Sequence, residues 1–171
     1  LPQLGGDTPL SVCLSETREA GFVGTELGGK FPVDAEGLSK VLAEYDLALV
    51  SGWYSGTLIN NTLDDELERI QDQLALFKAC NASVIVYGET YNTVQNKQNK
   101  PLSTRPKLSD FDVVDYGRWL TALAEHCSKE GVPLTFHHHM GTAVETEDEL
   151  DQLMANTGDS VGLLLDTGHL V

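Results

Sequence analysis

Apolar residues follow two alternating patterns along the chain. In one, they recur every three or four positions, which is the spacing of an amphipathic helix. In the other, they form short uninterrupted runs, which are typical of strands buried on both faces of a parallel sheet. The runs predict five strands, over 22–27, 47–51, 83–87, 134–136 and 161–165, and a helical segment precedes each of them.

Residues that favour helix ends lie at the boundaries of these segments. Each predicted helix therefore has a defined start or stop. Thr8 with Pro9 begins the first helix and Gly21 ends it, Asp34 begins the second, Asn81 ends the third, Gly131 ends the fourth, and Thr146 with Glu149 forms a capping box for the last.

Regular alternation of strands and helices predicts parallel strands joined by crossover helices, in either an open sheet or a barrel. The glycines of 24–29 lack the spacing of a dinucleotide-binding fingerprint, and the sequence contains no phosphate-binding Walker motif. Polar residues follow all five strands, which favours a (β/α)8 TIM barrel whose site lies at the carboxyl ends of its strands. They are Glu26, the 51–53 segment, Glu89, the 137–139 segment, and Asp166 with His169.

Five strands are fewer than a barrel of eight requires. The chain also begins at Leu1 rather than at a methionine. We therefore expect residues 1–171 to be a single partial barrel domain, truncated at both ends and containing about strands two to six.

Three consecutive histidines give the strongest chemical signal. Because side chains alternate along a strand, His137 and His139 should share one face while His138 points into the surrounding layer. Asp166 ends a buried strand, where a carboxylate is costly unless it is paired or bound to a metal. His169 lies three residues later and can turn back into the same site.

Four further residues are weaker candidates. Glu145 is a candidate metal ligand, although it also suits a helix start. Glu26 and Glu89 each suit a base, a substrate-binding group or a partner for Lys30. Trp53 suits the wall of a site for a small polar ligand. Carboxylate and imidazole ligands together suit Mn²⁺, Co²⁺, Zn²⁺ or Mg²⁺.

The polar segment 91–108 is too long for an ordinary connection and carries four of the eleven basic residues of the chain. This segment could be either a lid over the site or a solvated insertion, and the sequence does not decide between them.

Composition excludes several classes of function. The net charge is −15 and the isoelectric point is about 4.5, which argues against binding to nucleic acid or to an anionic membrane surface. Every apolar run is shorter than a membrane span requires. The chain has only three cysteines, a small and odd number that does not suit a disulfide framework. A reducing cytoplasm is therefore the expected location.

Four segments together resemble the xylose-isomerase-like barrels, a group of metal-dependent sugar isomerases, epimerases and dehydratases. Within that group they are most similar to the inosose dehydratases of myo-inositol catabolism. The segments are Gly21–Gly28, Gly88–Thr90, the His137–Thr142 run with Glu145, and Leu165–Leu170.

The resemblance implies a hydro-lyase that removes water from 2-keto-myo-inositol (scyllo-inosose) to give 3D-(3,5/4)-trihydroxycyclohexane-1,2-dione. A sugar or keto-polyol isomerase or epimerase of the same barrel group is the alternative. The implied cofactor is a divalent metal, with Mn²⁺ or Co²⁺ favoured, and glutathione is also compatible with the resemblance. A polyol ketone is the expected partner, and a homo-oligomer is left open.

The family pattern also assigns roles to candidate residues. Asp166 matches the aspartate ligand of the family, whereas the first glutamate ligand falls on His137, so either His137 or Glu145 takes that place. The resemblance thus implies Asp166 with His137 or Glu145 for the metal, and our own hypotheses are His137, His139, His169 and Glu89 for catalysis and Glu26, Lys30 and Trp53 for substrate binding.

Overall fold

A computed structural model describes residues 5–169. Five parallel strands form one sheet in sequential order, and helices connect them. The strands are β1 (Gly24–Leu27), β2 (Ala48–Gly56), β3 (Ile85–Glu89), β4 (Leu134–His137) and β5 (Val161–Leu164). The helices are α1 (Leu10–Glu19), α2 (Ala35–Glu44), α3 (Leu63–Ala79), α4 (Val113–Lys129) and α5 (Glu147–Met154).

Most of the expected helix boundaries are confirmed. The Asp34 carboxylate accepts a hydrogen bond from the Gly37 N–H at 2.8 Å, and Thr146 with Glu149 forms the capping box of α5. Gly21 and Gly131 adopt positive φ angles of 91° and 90° just past α1 and α4, where a residue with a Cβ atom would be strained.

The start of α1 differs from the expectation. Pro9 occupies the N-cap position, one residue later than predicted, and no side chain caps the helix. The Thr8 carbonyl instead accepts a hydrogen bond from the Lys30 ammonium group.

Strand β2 is longer than the sequence pattern indicated, and the prediction that it ends at Ser51 is wrong. It continues to Gly56, so Trp53 lies inside the strand rather than after it. A Cβ atom on Gly52 would lie 2.7 Å from the Phe77 ring, and one on Gly56 would lie 2.0 Å from the Tyr87 ring. These glycines keep the strand continuous while large rings pack directly against its backbone.

The main core lies between the sheet and its helices. Its largest fully buried side chains, from α3, α4, β3 and β4, are Phe77, Tyr87, Tyr116 and Phe136. On β5 at one edge of the sheet, Leu163 remains 41% exposed, and Leu165 just after that strand is 56% exposed. No helix among residues 5–169 is long and apolar enough to cross a membrane.

Candidate active site

The candidate site lies at the carboxyl ends of the parallel strands. Glu26, Glu89 and His137 lie at or next to the last residues of β1, β3 and β4, and Asp166 follows β5 by two residues. Because neighbouring strands run in the same direction, these residues occupy the same edge of the sheet.

His137, Asp166 and His169 form a cluster that could hold a metal ion. One ligand atom from each residue lies within 4.8 Å of the other two. The Asp166 Oδ2 atom is 3.7 Å from His137 Nε2 and 3.6 Å from His169 Nε2, too far for hydrogen bonds. Within the described chain, His137 Nε2 is buried without a hydrogen-bond partner, which leaves this nitrogen available to a ligand.

The turn after β5 fixes the Asp166 carboxylate. Its Oδ1 atom accepts a hydrogen bond from the Gly168 N–H at 2.8 Å, which leaves Oδ2 facing the two histidines. The same hydrogen bond, together with the nearby histidines, lowers the pKa of Asp166 below its ordinary value. Asp166 is therefore anionic at neutral pH, as a ligand of a hard cation must be.

His138 lies behind the cluster, as side-chain alternation predicts. Its side chain is fully buried, and its Nε2 atom accepts a hydrogen bond from the Asp166 backbone N–H at 3.2 Å. His138 therefore supports the turn that carries Asp166.

A cavity of about 290 Å³ lies in front of the cluster. Its lining consists of Trp53, Gln95, Asn96, His137, His139 and His169. The Trp53 ring centroid is 5.4 Å from that of His137 and 6.0 Å from that of His139, with edge-on geometry in both pairs. A Cβ atom on Gly88 would lie 1.9 Å from the Trp53 indole, so this glycine gives the ring its place.

Burial favours the neutral form of two cavity histidines. Burial, assisted by the charges of His139 and His169, lowers the pKa of His137 to about 4. Burial also lowers the pKa of His169. His139 Nδ1 lies 2.7 Å from the Met140 carbonyl, which can only accept, so the neutral ring carries its proton on Nδ1 and its lone pair on Nε2.

Glu145 lies outside the cluster, and other groups occupy its carboxylate. Its Oε2 atom accepts a hydrogen bond from the Gly141 N–H at 2.6 Å and pairs with Arg105 Nε at 3.1 Å. Arg105 also pairs with Glu149 at 3.0 Å, and its side chain is only 8% exposed. Of the two residues that the sequence offered for one metal position, the geometry brings His137, not Glu145, next to Asp166.

Glu89 is likewise separate from the cavity. Its buried carboxylate accepts hydrogen bonds from the Ile59 N–H at 3.1 Å, the Tyr87 hydroxyl at 3.0 Å and the Tyr91 N–H at 3.0 Å. Tyr87 packs over Gly56, whereas Trp53 packs over Gly88, the neighbour of Glu89 in β3. Glu89 therefore faces the helices and joins the segments that follow β2 and β3.

The substrate-binding candidates are dispersed. Of the three, only Trp53 lines the histidine cavity. The Glu26 carboxylate accepts a hydrogen bond from the Ser51 hydroxyl at 2.5 Å. Lys30 donates to the Gly5 carbonyl at 2.9 Å and does not reach either glutamate.

Comparison with known proteins agrees with this architecture. Residues 14–171 match the family described as the xylose isomerase-like TIM barrel. The chain belongs to this family. The parallel sheet described above is therefore part of a xylose isomerase-like (β/α) barrel, as the sequence predicted.

Relatives of the chain include a rhizopine catabolism protein and several inosose dehydratases. The chain is 49% identical to the rhizopine catabolism protein MocC of Rhizobium meliloti, over 99% of the chain and 52% of the relative. It is 35% identical to the inosose dehydratase of Geobacillus thermodenitrificans, over 100% of the chain and 58% of that enzyme. The chain therefore spans somewhat more than half the length of the curated relatives it matches.

A solved barrel supports the fold. A xylose isomerase-like TIM barrel protein from Mycobacterium smegmatis, crystallised in complex with magnesium, superposes with a TM-score of 0.64 at 20% identity. The match covers 93% of this chain and 56% of the solved one.

Three residues in or beside this xylose isomerase-like site escaped sequence reasoning. Gln95 and Asn96 line the cavity, although the sequence placed them only in a long polar segment. Arg105 counted there as one of several basic residues, yet it is the buried partner of Glu145 and Glu149. Gln95 and Arg105 have no local signal, because Gln95 packs against Gly141 and Arg105 binds Thr142 and Glu149, all more than 30 residues away in the chain.

The buried carboxyl group of Glu89 should make stability depend on pH. Burial raises its pKa to about 7, despite hydrogen bonds from the Tyr91 and Ile59 backbone that favour the anion. The folded protein therefore keeps a proton that the unfolded chain loses near pH 4.5. This group's contribution to the free energy of unfolding should fall by about 3 kcal/mol as pH rises from 4.5 to 7, and then level off.

Glu89→Gln in the metal-free full-length protein should remove that part of the slope, measured by urea unfolding at pH 5, 6, 7 and 8. Glu125→Gln, on the exposed face of α4, is the matched control and should leave the slope unchanged. Parallel slopes for wild type and Glu89→Gln would show that Glu89 is ionised in the folded protein throughout this range.

Proposed function

We propose that the full-length protein is a metal-dependent hydro-lyase that removes water from 2-keto-myo-inositol to give 3D-(3,5/4)-trihydroxycyclohexane-1,2-dione. The observation that carries the proposal is the cluster of His137, Asp166 and His169, whose two histidines line a cavity of about 290 Å³. The inosose dehydratases among the relatives support this substrate, and we infer a role in myo-inositol catabolism in the cytoplasm.

The residues of the cluster fit a divalent ion. They offer one carboxylate and two imidazoles, a ligand set that suits Mn²⁺ or Co²⁺. The depressed pKa of His137 keeps its ring neutral, as a metal ligand must be. When bound, such an ion supplies Lewis-acid polarisation of a carbonyl oxygen.

The remaining cavity residues suit binding and proton transfer. His139 presents the lone pair of Nε2 and can accept a proton there, since Nδ1 is held by the Met140 carbonyl. Its ring centroid lies 3.8 Å from that of His169, so the two rings are close enough to act on the same substrate. Trp53 offers an apolar surface to the ring carbons of a cyclic polyol.

Dehydration requires a proton to leave the carbon beside the ketone and a hydroxyl to leave the next carbon. We assign the first role to His139, and the proton that it accepts is then available to the departing hydroxyl, which leaves as water. Glu89 lies outside the cavity, and its hydrogen bonds favour a positioning role for the segments around it.

The test is to incubate the Mn²⁺-loaded full-length protein with scyllo-inosose and follow the absorbance of the dione. Loss of water with metal dependence supports the proposal. Conversion of the ketone to an isomer without loss of water would show the isomerase or epimerase activity of other barrels with this fold instead.

The 49% identity to MocC favours a second candidate, an activity in rhizopine catabolism. The same assay with rhizopine in place of inosose distinguishes the two. Turnover of rhizopine without turnover of inosose would assign the protein to that process.

His138→Ala should weaken metal binding indirectly. The change removes the acceptor of the Asp166 N–H while leaving the three cluster residues in place. Loss of an outer hydrogen bond of this kind typically lowers metal affinity by about tenfold or more. Titration of the full-length apo-protein with Mn²⁺ measures the effect. An affinity equal to that of wild type would show that the Asp166 turn is held without His138.

A further inference from the structure

Gln95, in the wall of the cavity, has a side-chain oxygen without a hydrogen-bond partner. The side-chain carbonyl oxygen of Gln95 is buried, and no group among residues 5–169 donates a hydrogen bond to it. An unpaired buried acceptor destabilises a protein by about 1–3 kcal/mol, so its retention at a cavity wall indicates a ligand that donates to it.

The backbone around Gln95 is held firmly against the loop that follows the histidine run. The Gly141 carbonyl accepts hydrogen bonds from the Thr93 hydroxyl at 2.8 Å and from the Val94 N–H at 2.9 Å. Gly141 has a φ of 83°, and a Cβ atom there would lie 2.8 Å from the Gln95 backbone nitrogen. Only glycine allows both this conformation and this close approach.

A second anchor fixes the far end of the same segment. Arg105 donates to the Thr142 carbonyl at 3.1 Å and pairs with Glu145 and Glu149. Segment 91–108 is therefore tied to the 139–149 region at two points. Its residues Gln95 and Asn96 form one wall of the cavity, whereas residues 96–104 are exposed to solvent.

The cavity consequently has two chemically different sides. The cluster of His137, Asp166 and His169 suits the oxygen atoms of a ligand that bind a cation. The carboxamide of Gln95 needs a donor, and a hydroxyl group donates whereas a ketone cannot. Asn96 lies beside it on the same wall and adds a second amide.

We propose that Gln95 is a substrate-binding residue that recognises a ring hydroxyl of a cyclic polyol, remote from the ketone. This inference rests on the proposed function for the identity of the ketone, and it adds a specificity determinant for the hydroxyl groups. It predicts discrimination between a polyhydroxylated ring and a ring that carries only the reacting groups.

The decisive variant is Gln95→Met, which preserves length and removes the amide. For the full-length Mn²⁺-loaded protein, the KM for scyllo-inosose should rise about tenfold, because one hydrogen bond is lost. For 3-hydroxycyclohexanone, which keeps only the ketone and the leaving hydroxyl, kcat/KM should match that of wild type. Gln98→Met, exposed on the same segment, is the matched control and should behave as wild type with both compounds.

Metal binding separates a binding role from a general disturbance of the site. The Mn²⁺ affinity of Gln95→Met should equal that of wild type, since Gln95 is not part of the cluster. An unchanged KM for inosose, or an equal loss with both ketones, would overturn the inference.

Failure of the proposed function has a different signature. If wild type loses no water from inosose, calorimetric titration with inosose still tests Gln95. Binding that is about tenfold weaker in Gln95→Met supports the inference. Equal affinities, or no binding to wild type, would overturn it.

Discussion

Asp166→Asn in the full-length protein should remove most bound metal and lower turnover of inosose by about 10²-fold or more. Asparagine preserves the shape of the side chain, and its oxygen can still accept the Gly168 N–H. It lacks the negative charge that a hard divalent cation requires. Metal content by elemental analysis and dione formation under saturating Mn²⁺ measure the two effects.

The control for this prediction is Asp159→Asn, in the exposed turn before β5. That change also removes one carboxylate but lies at the opposite end of the strand, so metal content and turnover should equal those of wild type. If Asp166→Asn binds Mn²⁺ as tightly as wild type, Asp166 serves only to close its own turn through Gly168.

Arg105→Met should lower the free energy of unfolding by about 3 kcal/mol, because it leaves two largely buried carboxylates without their cation. The loss should appear in urea unfolding of the full-length protein. Lys100→Met, exposed on the same segment, should change stability little.

Adding Glu149→Gln to Arg105→Met should recover part of the loss, since one of the uncompensated charges disappears while an acceptor for the Thr146 N–H remains. Equal stability of Arg105→Met and wild type would mean that segment 91–108 is held without this ion-pair cluster.

The helices were predictable because their signals are local. Apolar spacing and capping residues such as Asp34 and Thr146 lie within a few positions of the ends they define. The full length of strand β2 was not predictable, because glycines such as Gly52 and Gly56 usually indicate turns in a sequence. Their role is to admit the Phe77 and Tyr87 rings, which come from elements 25 and 31 residues further along the chain.

Some residues of the site could likewise be predicted from local sequence, whereas others could not. His137 and Asp166 were identifiable because each ends a buried strand, and the parallel sheet brings such ends together. Glu145 has the same chemistry in sequence, yet Arg105 binds it from a segment 40 residues earlier. Sequence spacing contains no information on that competition, nor on the approach of Gln95 to Gly141.

The most direct test of the metal site is anomalous diffraction at the manganese edge from crystals of the full-length protein soaked in Mn²⁺. We predict a single strong peak within about 2.3 Å of Asp166 Oδ2 and of imidazole nitrogens of His137 and His169. A peak bound by Glu145 or Glu89 instead, with none at Asp166, would contradict this assignment of the site.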